Sequence, residues 1–371
     1  MGKLSGNDRP VLLAAGGTGG HLFPAFALAE ELARRGFRVD LVTDDRGDRY
    51  RSDFPAQNVH IVPSATLSSK SPVSVARTAW TLSRGIGKAV ELLGRIRPKA
   101  VVGFGGYPTF PPLLAARMRS IPSLIHEQNA VLGRANRMLA KRVDKIATSF
   151  EKTRLLDSAL QSKVCFTGNP VRQVVLDEAQ RPYWSPLPGE TATLVVFGGS
   201  QGARFFSDIV PVAVGMLPEP MRRFLNIVQQ AREEDVDRVR TSYGAMGVRF
   251  EVESFFKDLP HIISGAQLVI ARAGASTVAE LSVIGRPAIL VPLPGALDND
   301  QLQNASTLAE SGGAWCIEQK DLTPELLAGE LLRLLGESGV LSVAAVAAKA
   351  QGRPDAVSNL ADVVCTLAGT S

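Results

Sequence analysis

Cysteine is scarce. The chain has three, Cys165, Cys316 and Cys365, far apart and odd in number. That excludes a disulfide framework and a paired-cysteine zinc site, and it fits the unpaired thiols of a reducing compartment. Histidine is nearly as rare: His21, His60, His126 and His261 include no pair at metal-ligand spacing. A spanning apolar run is missing too. The uncharged stretch Ala100–Ala116 holds three prolines and three glycines and falls short of a membrane helix. The opening MGKLSGNDRP lacks the apolar centre of a signal peptide. No heptad pattern and no period of 20–50 residues recurs, so coiled coils and solenoids are excluded.

What is present is ordinary globular sequence, 45% apolar and 21% charged, which rules out extended disorder. At 371 residues it is long enough for two domains. The net charge of +5 calls for an anionic partner, and nucleic acid, a phosphate ligand and an acidic membrane all qualify on charge alone.

Short apolar strands alternate with amphipathic helices. Strand Val11–Ala15 runs into Gly16-Gly17-Thr18-Gly19-Gly20. A helix over Ala25–Arg35 follows and stops at Gly36. Strands are expected at 39–43, 59–62, 100–103, 123–126 and 145–148, with helices over 73–95 and 134–140. A second cycle begins with strand Thr193–Phe197, the loop Gly198-Gly199-Ser200-Gln201-Gly202 and a helix. Further strands are expected near 224–228, 248–252, 268–271 and 288–291. Such alternation predicts parallel sheets covered on both faces. The expected division is a first domain over 1–168 and a second over 169–353. A final helical segment, 354–371, has no strand after it and is free to pack back on the first domain.

The chemistry concentrates in the loops after strands. In the first glycine loop, backbone N–H groups and a helix N-terminus suit an anion. The dinucleotide fingerprint fails, because its third small position is Leu22, and no Gly-Lys-Ser/Thr ending marks a P-loop. A bare tight turn is the plain alternative. His21 beside such a loop is a candidate general base. Gly103–Pro108 and His126-Glu127-Gln128-Asn129 also follow strands, at the carboxyl edge where open α/β sheets bind ligands. In the second half Ser276 and Thr277 open a helix and suit a diphosphate. Glu280 lies one turn on, able to accept bonds from two vicinal hydroxyls or merely to face solvent. Asp298-Asn299-Asp300 formally matches a metal-chelating DxD, but three residues recur by chance, and the neighbouring Gln301 is the better sugar contact. The stretch 70–99 mixes Arg77, Arg84, Lys88, Arg95 and Arg97 with Trp80, Leu82, Ile86 and Leu92. It reads either as a solvated face or as a surface for anionic lipid.

Together the motifs AGGTGGHLFPA (ending at Ala25), GFGGYP (103–108), HEQNAVLGRANR (126–137), GNPVR (168–172), GGSQGAR (198–204) and RAGASTVAE with DNDQLQNA (272–305) resemble the MurG family of N-acetylglucosaminyltransferases. That family converts lipid I to lipid II in peptidoglycan synthesis. The resemblance implies an α/β fold of GT-B type, two doubly wound, Rossmann-like parallel-sheet domains facing a cleft, with no metal and no cofactor. It implies UDP-GlcNAc held by Ser200, Gln201, Ser276 and Thr277 at the phosphates, Glu280 at the ribose, the backbone of Phe256 at the uracil and Gln301 at the sugar. Thr18, Gly19, Gly20, Asn129 and Arg172 complete the site. Phe256 replaces a frequent Ile of the family, and Asp300 the first of a Gln pair.

The implied reaction is one inverting displacement, with His21 as candidate base and Glu127 as runner-up. The implied partners are UDP-GlcNAc, the lipid I acceptor, acidic inner-membrane lipids and other cell-wall synthesis and division proteins, not nucleic acid. Arg77, Trp80, Arg84 and Lys88 would meet the membrane, peripherally, at the cytoplasmic face of the inner membrane. A UDP-GlcNAc 2-epimerase, a nucleotide-dependent reductase and a sugar-nucleotide-binding module without activity are the competing readings.

Overall fold

A computed structural model describes residues 9–16, 19–44, 54–64, 71–186, 189–199, 202–337 and 339–369. The chain divides into two compact units. One comprises Met1–Arg172 with Pro354–Ser371, the other Gln173–Arg353.

The first unit is built on seven parallel strands: β1 (Val11–Ala14), β2 (Val39–Thr43), β3 (Asn58–Ile61), β4 (Ala100–Gly103), β5 (Ser123–Glu127), β6 (Lys145–Thr148) and β7 (Val164–Phe166). Their order across the sheet is β3-β2-β1-β4-β5-β6-β7. Between them run α1 (Gly19–Arg34), α2 (Pro72–Ile96), α3 (Phe110–Met118) and α4 (Arg134–Ala140). Strand alternation explains why both faces are covered. Val11 and Leu13 of β1 join one core with Leu22, Leu28 and Leu32 of α1. Leu12 and Ala14 point the other way, into a core with Ala89, Leu92 and Leu93 of α2, Leu113 of α3 and Leu139 of α4.

The second unit has six parallel strands: β8 (Ala192–Phe197), β9 (Leu225–Gln230), β10 (Arg249–Glu253), β11 (Leu268–Ala271), β12 (Ala288–Leu290) and β13 (Ala314–Cys316), in the order β10-β9-β8-β11-β12-β13. Its helices are α5 (Gln173–Glu178), α6 (Arg204–Gly215), α7 (Glu219–Arg223), α8 (Val236–Met246), α9 (Leu259–Ser264), α10 (Ala275–Ile284), α11 (Asp300–Glu310), α12 (Pro324–Gly336) and α13 (Val340–Gln351). Leu194 and Val196 of β8 share a core with Phe206 and Val210 of α6 and Leu327 and Leu331 of α12. The last helix, α14 (Ala356–Leu367), returns to the first unit, where Leu360, Ala361 and Val364 close the core beside α1. Arg35 seals that contact, bonding Asp362 at 2.5 Å and the Ser358 hydroxyl at 2.9 Å.

Two differences from the sequence expectation bear on the site. The first helix begins at Gly19, six residues before the expected Ala25, because low-propensity glycines can still open a helix. His21 therefore lies in the first turn of α1. Strand β5 runs one residue past its expected end at His126, so Glu127 also belongs to the buried strand end and not to the loop after it.

Candidate active site

Doubly wound sheets bind ligands beyond the carboxyl ends of their strands, where the strand order reverses. In the first unit that point lies between β1 and β4, which pair in parallel from Val11–Ala100 to Ala14–Gly103. The chain leaves β1 into α1 and leaves β4 into Phe104–Pro108. Thr18 and Gly17 lie outside the described residues. Gly19 and Gly20 are the first residues of α1, so their amides have no partner within the helix and suit an anion.

The His21 ring lies on the glycine turn after β4. Gly105 and Gly106 have φ of 86° and 76°, a region that side chains disfavour. A Cβ on Gly105 would stand 3.3 Å from His21 Cε1, and one on Gly106 3.4 Å from Cδ2. Both the backbone and the ring contact thus require glycine, which accounts for the GFGGYP pattern.

Beside it the end of β5 and the residue after it are three buried polar residues, His126, Glu127 and Gln128. His21 Nδ1 lies 3.2 Å from Gln128 Oε1. Gln128 Nε2 lies 2.9 Å from His126 Nδ1, and His126 Nε2 lies 3.0 Å from the Gly168 carbonyl. Complete burial pushes the His126 pKa down to about 4, so this ring is neutral at pH 7. The Glu127 carboxylate accepts four bonds. Oε1 takes the Asn129 amide at 3.0 Å and its side chain at 3.3 Å, while Oε2 takes the Gly133 amide and Asn136 Nδ2, both at 2.8 Å. Asn129 is therefore held by its neighbour, and Glu127 has the surroundings of a loop anchor. The Arg172 guanidinium stacks on Phe23 of α1, 4.4 Å from the centre of its ring.

In the second unit the order reverses between β8 and β11, which pair from Leu268–Leu194 to Ala271–Phe197. The loop after β8 turns sharply at Gly198, where a Cβ would meet the Ala203 nitrogen at 2.3 Å. Ser200 and Gln201 lie outside the described residues. After β11 the chain passes Gly274 and enters α10. The first helical amides there have no partner within the helix, and no side chain caps them. Ser276 Oγ is buried without a hydrogen-bond partner among the described residues, an expensive state unless a ligand supplies one. Thr277 follows in the same turn. Glu280 is one turn further along and buried.

The loop is braced from behind. Asn304 donates to the Ala273 carbonyl at 3.1 Å, and Arg272 spans to the Val291 and Pro292 carbonyls, both at 3.1 Å. Gln301 Oε1 accepts the Leu293 amide at 3.0 Å, so its side chain shapes the loop before α11. Phe256 is half-buried in the loop after β10. Asp298 and Asn299 take left-handed backbone angles in an exposed turn. Among the described residues no group of three or more His, Cys, Asp or Glu side chains is placed to hold a metal ion.

The profile described as Glycosyltransferase family 28 N-terminal domain matches residues 11–148, and the family's C-terminal domain matches 193–360. The chain belongs to glycosyltransferase family 28. Within this family it is 53% identical to the UDP-N-acetylglucosamine--N-acetylmuramyl-(pentapeptide) pyrophosphoryl-undecaprenol N-acetylglucosamine transferase of Agrobacterium fabrum, over 98% of this chain and 95% of that protein. The enzyme of the same name from Rhodopseudomonas palustris is also 53% identical, over 96% and 98%. Among solved structures, Acinetobacter baumannii MurG aligns with a TM-score of 0.79 at 28% identity, covering 96% of this chain and 99% of that one. A putative UDP-N-acetylglucosamine 2-epimerase from Listeria monocytogenes, at a TM-score of 0.67 and 16% identity, shares the fold alone. The family 28 chain is thus a glycosyltransferase of GT-B type.

Away from the loops, α2 presents Arg77, Trp80, Arg84 and Lys88 at spacings of three and four, one stripe of the helix, and all four are exposed. Trp80 is 67% accessible. Leu82 and Ile86 turn toward the opposite side and are half-buried, so they do not extend the Trp80 surface. Among the described residues no single helix is long and apolar enough to cross a membrane. The sequence reading singled out His21 and Glu127 but gave no role to Gln128, Asn136 or Asn304. For Gln128 the signal available was the amide-rich run after a strand, where a buried amide needs partners, whereas Asn136 and Asn304 lie inside helices α4 and α11.

Proposed function

We propose that this family 28 enzyme moves GlcNAc from UDP-GlcNAc to the C4 hydroxyl of MurNAc in lipid I, forming lipid II with a β-1,4 bond. The observation that carries the reading is the start of α10. A partnerless buried Ser276 hydroxyl and free helical amides are suited to a diphosphate, and Glu280 follows one turn later for the ribose. Ser200, Gln201 and Thr277 would join them at the phosphates, the Phe256 backbone would meet uracil and Gln301 the sugar. Thr18, Gly19, Gly20, Asn129 and Arg172 are assigned to the same donor. The acceptor assignment rests on the activity that names the 53%-identical relatives.

In the proposed step the acceptor oxygen attacks the anomeric carbon from the face opposite UDP. The bond from the acceptor's O4 to the anomeric carbon forms as the bond from that carbon to the β-phosphate oxygen breaks, and configuration inverts. The acceptor's proton passes to His21 Nε2, and UDP leaves with the electron pair. Helix amides that carry no internal bond stabilise the growing negative charge without having to reorient. His21 is favoured over Glu127 as base, because both Glu127 oxygens already serve four N–H donors. The exposed Arg77, Trp80, Arg84 and Lys88 stripe suits acidic lipid, which would bring the enzyme peripherally to the cytoplasmic face of the inner membrane. Other cell-wall synthesis and division proteins would meet it there.

Incubation with UDP-GlcNAc and lipid I tests the reading. It expects UDP release matched by lipid II. Release of UDP with a 2-epimerised sugar, or with free GlcNAc and no lipid II, would replace it.

A further inference from the structure

His21 is a competent base only when Nε2 carries its lone pair, that is, when the ring proton sits on Nδ1. Among the described residues nothing bonds Nε2, and Nδ1 faces Gln128 Oε1. Resting on the reading of His21 as the base, we propose that Gln128 and His126 are positioning residues that lock His21 in the Nδ1–H tautomer.

The argument starts at the far end of the chain of contacts. The Gly168 carbonyl can only accept, so His126 must present N–H from Nε2, 3.0 Å away. A neutral ring protonated at Nε2 has its lone pair on Nδ1. That nitrogen then accepts from Gln128 Nε2 at 2.9 Å. The same amide group donates to the His126 carbonyl at 3.1 Å, so a flipped Gln128 would set its oxygen against a carbonyl oxygen as well as a lone pair. With Nε2 committed on this side, the Gln128 oxygen is the atom that meets His21, and His21 must donate from Nδ1. Burial supports the lock, since the neutral His126 does not take the second proton that would reverse it at pH 7. The four residues come from α1, the end of β5 with the residue after it, and the segment after β7. His21 and Gln128 are separated by 107 positions in sequence, so the arrangement is tertiary and not a local accident.

The test reads the tautomer directly. Protein labelled with 15N-histidine has only four imidazoles, and His→Gln variants assign them. The wild type should show Nδ1–H at His21 and Nε2–H at His126. Gln128→Leu should release His21 to a mixture rich in Nε2–H. It should lower kcat by at least about tenfold, toward the 10²–10⁴ of a lost general base, with UDP-GlcNAc Kd within about twofold. His126→Phe, beside Phe104, should do the same without touching His21, because the freed amide can turn. Gln128→Glu keeps an acceptor facing His21 and should recover the Nδ1–H form and part of kcat. Wild-type His21 protonated at Nε2, or Gln128→Leu retaining Nδ1–H, overturns the lock. If a variant fails to fold by thermal melt, the wild-type spectrum alone decides. The base reading is tested apart, by His21→Ala. Unchanged turnover there removes the base whatever the tautomer, whereas abolished turnover with an Nε2–H wild-type ring removes the lock and leaves His21 essential in another role.

Discussion

Glu127 Oε2 accepts a 2.8 Å hydrogen bond from Asn136 Nδ2, tying the last residue of β5 to the first turn of α4. The same oxygen takes the Gly133 amide, the residue before α4, so one carboxylate closes the whole loop. Glu127→Ala leaves buried donors without an acceptor. It should cost about 3–5 kcal/mol, read as a lower urea midpoint. Glu127→Gln, which keeps one acceptor oxygen, should cost less. A neutral outcome for Glu127→Ala would mean that water replaces the carboxylate and that the residue is available for chemistry.

His126 makes the fold acid-sensitive. Its pKa falls from about 6.5 unfolded to about 4 folded, so the unfolded chain binds the extra proton more readily. The stability this neutral ring preserves is complete above about pH 6.5 and is lost as pH falls toward 4, by up to about 3 kcal/mol. His126→Phe should flatten that part of the pH profile of chemical unfolding. Parallel profiles for the two proteins would show that another group governs the acid limb.

Glu280→Ala should weaken UDP-GlcNAc binding by roughly 10- to 150-fold, the range for a hydrogen bond to a charged group. Titration with the 2′-deoxyribose donor discriminates the cause. There the loss should shrink, because one partner is already gone. Equal losses for both donors would remove Glu280 from the ribose.

Changing Arg77, Arg84 and Lys88 together to Glu should reduce co-sedimentation with acidic vesicles. Each cation near such a surface contributes about 1 kcal/mol, and salt screens it. Activity on lipid I in those vesicles should fall in parallel, while UDP-GlcNAc Kd stays at the wild-type value. A triple variant that pellets like the wild type would reduce the α2 stripe to a solvated face.

Most of the central strands were legible because a strand buried on both faces is a short, nearly continuous apolar run, as in Val11–Ala14 and Leu268–Ala271. Edge strands β7 and β13 were not, since each spans only three residues, two of them only half-buried, and carries no such run. The start of α1 was hidden by glycines, whose propensity argues for a loop although their missing side chains suit the opening turn. The loops that carry the chemistry stood out by composition. The contacts among His21, Gln128, His126 and Gly168 did not, because a bond across 107 residues leaves no pattern in either segment. Likewise Leu82 and Ile86 look like Trp80 in a sequence window, and only the helix phase separates them.

The position of α14 constrains how this protein comes into being. Leu360, Ala361 and Val364 are fully buried against α1, yet they are made after the entire second unit. The first unit therefore cannot finish while its own residues emerge from the ribosome. It waits, with one side of α1 uncovered, until the whole second unit and α14 have been made. A fragment ending at Arg172 would hold that bare side permanently, whereas an excised Gln173–Arg353 would leave no such gap in itself. The half that comes first in the gene is in this sense the one completed last.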